Sequence, residues 1–236
     1  AEGTANCYIA RTGGVYKFDA SVKGNGGGDG VSDYIANYGL AIEDGAFAEL
    51  LWESRHDGDK TMSREIIDGA PIYRGGYVTF STGRSEGNAV IAVKDIKGNI
   101  VWSWHIWVCN DEITAHDHID SEGKVAAVIM DRNLGALNNT PMDVGNRGMF
   151  YEWGRKDPFP WPDAEIVYGE GVVHDSFGPF YLGDAAADAT VAWATAHPTT
   201  LMGEVAGPQD SWLAAPSPNL WGNGSEGQTA TQRSLK

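Results

Sequence analysis

Cysteine, positive charge and long apolar runs are what this sequence has least of. Only Cys7 and Cys109 occur in 236 residues. There is no CxxC pair and no Cys-His spacing of the kind a structural zinc finger needs, so that class is excluded. Both cysteines sit in apolar, strand-like segments, which leaves open a disulfide or two separate buried thiols. No apolar run approaches the roughly 18 residues of a membrane-spanning helix, so none is expected. Lys and Arg together number 17 against 32 Asp and Glu, a net charge of −15. Phosphate binding needs clustered Lys and Arg, so nucleic acid is excluded as a partner and anionic membrane surfaces are disfavoured. The acidity either keeps the folded chain soluble or supplies carboxylates to a divalent cation. No basic-then-apolar leader opens the chain, which begins Ala1-Glu2-Gly3-Thr4 and reads as cytosolic or as an excised mature segment. No repeat of solenoid length is present.

What is there is a composition suited to strands and turns. Thirty-one glycines and ten prolines are many for a helical protein, and 42% hydrophobic residues are enough for a packed core. The length fits one large domain or two small ones. Residues 1–112 read as all-β. Cys7–Ala10 and Val15–Phe18 are short strands around a hairpin-like turn, Thr12-Gly13-Gly14. Gly24–Gly30 reads as a loop, and with no Lys-Ser/Thr behind it, not as a phosphate cradle. Ile72-Tyr73 and Tyr77–Phe80 flank the turn Arg74-Gly75-Gly76. Asn88–Asp95 and Ile100–Val108 flank Ile96-Lys97-Gly98-Asn99. Along the last of these strands Trp102, Trp104, Ile106 and Val108 share one face, and Ser103, His105, Trp107 and Cys109 share the other. Large groups on both faces predict a central strand covered on both sides, and hence a β-sandwich.

Asp111–Gly123 is acidic and without periodicity, and reads as a linker or long loop. Lys124–Asp131 reads as a strand. Helical spacing is expected from Asp143, with a helix over Asn146–Glu152 stopped by Asp157-Pro158, and again over Ala185–His197 before Pro198. Residues 160–190 and Gly203–Lys236 carry little regular pattern.

Met130-Asp131-Arg132-Asn133-Leu134-Gly135-Ala136, followed by Tyr151-Glu152-Trp153-Gly154-Arg155-Lys156-Asp157-Pro158-Phe159, resembles the opening of the Fibrobacter succinogenes major paralogous domain. Ala196–Thr200 and Leu220-Trp221-Gly222 are similar to its later landmarks. Ala5–Ile9, Gly14–Phe18, Gly87–Ala92 and Trp102–Trp107 resemble the β unit that precedes this module in Bacteroides surface proteins. The resemblance implies a mainly β chain: a β-sandwich over 1–112, then an α+β, C-type-lectin-like domain over 113–236. It implies export to the outside or surface of a Bacteroidetes-type bacterium. The expected role is non-catalytic recognition or adhesion, within a fimbrial or other surface assembly, on a surface glycan or protein partner. A Cys-Pro-x-Gly-(Trp/Tyr)-Arg-Val-Pro segment would follow in the family; none occurs before Lys236, so the module reads as incomplete. Asp131, Arg132, Asn133, Trp153, Arg155 and Asp157 are expected to hold the fold. Two alternatives stand beside adhesion: a carbohydrate-binding module for glycan capture, and a structural subunit that assembles by strand exchange.

Few residues point to chemistry. His116, Asp117, His118 and Asp120, with Glu122 near, form the densest set of metal-ligand types, and alternate histidines on a strand share a face. Asp111, Asp117 and Asp120 are the alternative set, offering oxygens to calcium, though the EF-hand order is absent. Ser103 and His105 lack a nucleophile elbow, and Cys109 has no partner at a diagnostic spacing, so no enzyme is expected. Of nine tryptophans, Trp52, Trp102, Trp104, Trp107 and Trp153 sit in patterned segments and are assigned to the core. Trp161, Trp212 and Trp221 lie among Gly and Pro and are the candidates for stacking on a ligand.

Overall fold

A computed structural model of the chain describes residues 3–24, 26, 41–55, 65–152, 155–161, 165–168, 173–174, 182–183, 190–202 and 213. The fold is mainly β. Strands β1 (Cys7–Ala10), β2 (Val15–Asp19), β3 (Phe47–Arg55), β4 (Ile67–Arg74), β5 (Tyr77–Thr82), β6 (Gly87–Lys94) and β7 (Ile100–Val108) come first. β8 (Ala115–Ile119), β9 (Val125–Met130), a 3-10 turn at Val144–Asn146, β10 (Phe150–Tyr151), β11 (Pro158–Phe159), β12 (Glu165–Tyr168) and β13 (Val173–His174) follow. β14 (Leu182–Gly183), helix α1 (Val191–Ala196) and β15 (Leu201–Met202) complete the described elements.

A six-stranded sheet runs in the order β1-β7-β6-β3-β12-β13, and a three-stranded sheet in the order β2-β5-β4. Chain on both sides of residue 112 thus contributes to one sheet. The two sheets enclose a core of Leu50, Ile67, Val78, Phe80, Ile91, Trp102, Trp104 and Ile106 with Phe18. Phe18 lies 4.5 Å from the Tyr8 ring and 5.3 Å from that of Trp104, a ring stack that ties both sheets together. Glu53 stitches them once more: on β3, it accepts the N–H of Ile67, on β4, at 2.9 Å in a buried site.

The strand pattern follows from local chemistry. β6 and β7 pair antiparallel around a turn in which Asp95 accepts the N–H of Lys97 and of Asn99, each at 2.8 Å. In the β4–β5 turn, Gly75 and Gly76 have φ of 60° and 81°, the left-handed pair that a tight two-residue hairpin requires. β7 is buried on both faces from Trp102 to Val108, as its doubly apolar pattern predicts.

Several expectations need correction. Thr12-Gly13-Gly14 makes no hairpin: β1 runs parallel to β7 in one sheet while β2 pairs with β5 in the other. The turn instead carries the chain across the core, held by Gly13 N–H on the Gly83 carbonyl and Gly14 N–H on the Thr82 hydroxyl. The acidic stretch 111–123 contains a strand, β8, created by its pairing with β9 rather than by its own pattern. No helix covers Asn146–Glu152, because Gly148 takes φ 73° after a single 3-10 turn and β10 follows. Of the second helix, the described part is Val191–Ala196, capped by the Thr190 side chain on the Trp193 N–H.

Trp104 is 1% exposed at the centre of the core. Trp104→Ala is expected to lower the unfolding free energy by about 3–5 kcal/mol, measured by urea denaturation, as truncation of a buried large aromatic does.

Candidate functional site

The outer face of the six-stranded sheet is where chemistry-bearing groups converge. His105 on β7 stands opposite Cys7 on β1, and the Cys7 Sγ lies 3.2 Å from His105 Nδ1. The Tyr151 hydroxyl is 3.0 Å from the same nitrogen, and Asn88 Oδ1 is 2.9 Å from Nε2. Asn88 donates its own Nδ2 to the Gly135 carbonyl at 2.9 Å, which leaves Oδ1 as the acceptor. His105 is therefore protonated on Nε2, and its Nδ1 accepts from the thiol or the phenol.

This is the connectivity of a Cys-His-Asn nucleophilic triad, in the wrong environment for one. Burial pushes the Cys7 thiol up to about 12 and His105 down to about 3. Burial also raises Tyr151 well above the usual phenol range. A neutral thiol beside a neutral imidazole is a satisfied core contact, because nucleophilic attack needs the thiolate. The sequence reading missed this set. The three residues are far apart in the chain, and only the β1–β7 and β6–β7 registers bring them together.

The same registers decide the cysteine question. Cys7 is level with His105, four residues along β7 from Cys109, so the two are separated by roughly 13 Å at strand rise. That is beyond the span of a disulfide, and both thiols are free.

The Asp131-Arg132-Asn133 motif and the turn after it dock on this face. Asp131 receives two hydrogen bonds from the Arg132 guanidinium, at 2.9 and 3.1 Å, and Arg132 also donates to the Glu112 carbonyl at 3.1 Å. The guanidinium holds the Asp131 carboxyl down to about 2. Asn133 donates to the Arg147 carbonyl at 3.3 Å. The Ala136 carbonyl accepts the Trp107 indole N–H at 3.1 Å, and Cys109 Sγ lies 3.6 Å from the Leu137 carbonyl. Gly135 is required here: its φ is 83°, and a Cβ would stand 2.4 Å from Met149 and 2.8 Å from Asn88 Oδ1.

Arg155 and Asp157 close the far side. The Arg155 guanidinium pairs with Glu152 and collects the carbonyls of Ala194, His197 and Thr200, placing positive charge at the C-terminal end of α1. Glu152 accepts the Met202 N–H at 2.8 Å. Asp157 accepts from the Ser103 hydroxyl at 2.7 Å and from Lys156 at 2.6 Å, where burial lowers the Lys156 pKa. Trp153 lies outside the described residues.

His116, Asp117, His118 and Asp120 are not brought together. β8 is exposed along its whole length, with both histidines on one face and Asp117 on the other. Asp120 is occupied by its own turn, accepting the N–H groups of Glu122 and Lys124 at 2.8 and 2.9 Å. Asp111 faces Arg132 at 3.5 Å. Among the described residues no three His, Cys, Asp or Glu side chains converge on a metal position.

Of the three candidate ligand tryptophans, Trp212 and Trp221 lie outside the described residues. Trp161 is half-buried, its ring centroid 4.1 Å from that of the exposed Phe150 at a tilt of 44°, with the Arg147 guanidinium 5.1 Å above the indole. Its indole N–H donates to the Gly148 carbonyl at 2.8 Å, which fixes the ring. The loop beneath is tied by its own side chains. Asn138 donates to Asp143 at 3.0 Å, Asp143 accepts the Gly145 N–H at 2.7 Å, and Asn146 donates to the Thr140 carbonyl at 2.9 Å. These bonds, that from Asn138 foremost, lower the Asp143 pKa. An ordered loop thus presents two rings and one guanidinium at the surface.

Comparison of the chain with family models, with curated proteins and with solved structures found no match in any of the three.

His105 supplies an acid sensitivity with a definite sign. Its folded pKa of about 3 lies below the ordinary 6.5, so below pH 6.5 the unfolded chain binds a proton that the folded chain does not. Stability is full above pH 6.5 and falls as pH drops toward 3, by up to about 1.4 kcal/mol per pH unit from this one group. His105→Gln is expected to flatten the pH dependence of urea midpoints between pH 6 and 4. An unchanged slope would assign the acid sensitivity to other groups.

Proposed function

We propose that this chain is a non-catalytic recognition module of the bacterial cell surface, and that it holds a glycan against the Phe150–Trp161 platform. The observation that carries the reading is the aromatic pair itself. One ring is exposed, and the other is locked by the Gly148 carbonyl, so little side-chain entropy is lost when a sugar face stacks on them. Arg147 supplies hydrogen-bond donors beside the rings, as a pyranose with polar edges and apolar C–H faces requires. The likeness of Met130–Ala136 and Tyr151–Phe159 to the Fibrobacter succinogenes major paralogous domain supports the same reading. With it come a C-type-lectin-like second half and export. The net charge of −15 suits a soluble surface module and opposes polyanionic ligands. The neutral state of half-buried Cys7 and buried His105 favours recognition over catalysis.

A glycan array, run with calcium and again with EDTA, tests the proposal. A specific neutral or cationic glycan is expected to bind. Trp161→Ala and Phe150→Ala should each weaken it about tenfold, equivalent to about 1.4 kcal/mol, with thermal unfolding changed little. Binding that survives both substitutions, or no binding to any sugar tested, would overturn the assignment of this platform.

A further inference from the structure

We infer that His116 and His118 form a two-point chelate for a divalent transition-metal ion of the copper(II) and zinc class. The inference is independent of the Phe150–Trp161 platform, which uses other residues. Asp117, on the opposite face, and Asp120, held in its turn, take no part.

β8 is a regular strand over both positions. His116 pairs with Ile129 and His118 with Ala127, and the register shifts only after His118. The strand is pinned at both ends: the Asp131 N–H donates to the Thr114 carbonyl at 2.9 Å, and the Asp120 N–H to the Lys124 carbonyl at 2.8 Å. Alternate residues of such a strand share a face, with Cα atoms about 6.8 Å apart. A metal ion takes an imidazole nitrogen at about 2.0–2.1 Å, so the two nitrogens must stand within about 4.2 Å of each other. Each ring tip then leans inward by about 1.3 Å, a swing that side-chain torsions supply without moving the backbone.

The rings are available. Both are exposed, and among the described residues neither has a hydrogen bond, an ion pair or a ring contact to give up. The other described histidines are engaged. His105 is buried in its hydrogen bonds, and His197 stacks on Trp193 at 3.9 Å with its Nδ1 2.8 Å from the Trp193 carbonyl. Across the ribbon from the pair stand Ile129 and Ala127, which neither compete for the rings nor repel a cation. Lys124, the nearest lysine in the chain, is paired with Glu122 at 2.8 Å. A net charge of −15 raises the concentration of cations around the surface as a whole.

Ligand chemistry selects the ion. Neutral imidazole suits copper, nickel and zinc, and affinity at such donors rises to copper(II) and falls again at zinc. Calcium and magnesium demand oxygen and are not expected here. Two protein ligands leave the remaining coordination positions to water or to donors from another molecule, unlike the closed four-ligand site of a structural zinc. Chelation also needs an extended β8. The ion therefore steadies a ribbon that, as two strands open to water, is marginal by itself.

Isothermal titration of the whole chain with copper(II) and zinc chlorides, in a non-coordinating buffer, tests this. One saturable site is expected, tighter for copper than for zinc. His116→Gln and His118→Gln should each weaken it about a hundredfold, the advantage of holding both points at once. Asp117→His combined with His118→Asp keeps composition and net charge but moves one imidazole to the opposite face, and should weaken it as much. His197→Gln should leave it unchanged. All of these side chains are exposed, so the fold does not depend on them. No saturable copper binding, or full affinity in either single variant or in the face-swapped variant, would overturn the inference, as would an equal loss in His197→Gln.

Discussion

The structure depends on satisfying one face of β7. Trp102, Trp104, Ile106 and Val108 face the other sheet in a largely apolar core, with the Trp102 indole N–H donated to Asn6 at 3.1 Å. Ser103, His105, Trp107 and Cys109 face the opposite way and are equally buried. Each carries a polar atom that costs free energy if left without a partner. The partners come from the second half of the chain: Asp157 for Ser103, Tyr151 for His105, the Ala136 carbonyl for Trp107 and the Leu137 carbonyl for Cys109. Asn88, on the neighbouring strand, completes the set through Gly135. Residues 131–157 therefore cannot leave this face without stranding buried donors and acceptors.

That dependence explains the density of special residues between Met130 and Phe159. Arg132 links Cys109, just past β7, to the Leu137 carbonyl of the turn, Gly135 lets the backbone approach Asn88, and Arg155 gathers the end of α1 and the Thr200 carbonyl around Glu152. These are charged residues placed where hydrogen bonds surround them, the condition under which a buried charge is tolerated. The by-product is a surface. Once the loop over 138–148 is tied down, Phe150, Trp161 and Arg147 have a rigid support, and a ligand-binding role for them rests on that rigidity.

Triad-like connectivity at Cys7, His105 and Asn88 shows why geometry and environment must be weighed together. Distances alone match a nucleophilic site, yet desolvation drives both titrating groups toward neutrality. Among the described residues no cationic group is hydrogen-bonded to the Cys7 thiol to favour the thiolate. The sheet has taken residue types familiar from catalysis and used them as packing with hydrogen bonds.

Much of the N-terminal half was legible in the sequence. The turn residues Gly75-Gly76 and Asp95–Asn99 and the two-residue period of β7 are local signals, and they place hairpins and the doubly buried strand directly. Trp161 stands among Gly and Pro in the sequence, and in the structure its ring is half-buried against Phe150. Other features were not. β8 has no pattern of its own and exists through β9; Gly148 overrides the helical spacing around it; and Thr12-Gly13-Gly14 changes sheets instead of closing a hairpin. The amino-acid sequence by itself determined a mainly β chain, its central strand and its acidic character, since these follow from composition, period and turn chemistry. Only tertiary structure decided which polar groups meet, whether the cysteines pair and which edge stays open, because those follow from strand register between segments distant in the chain.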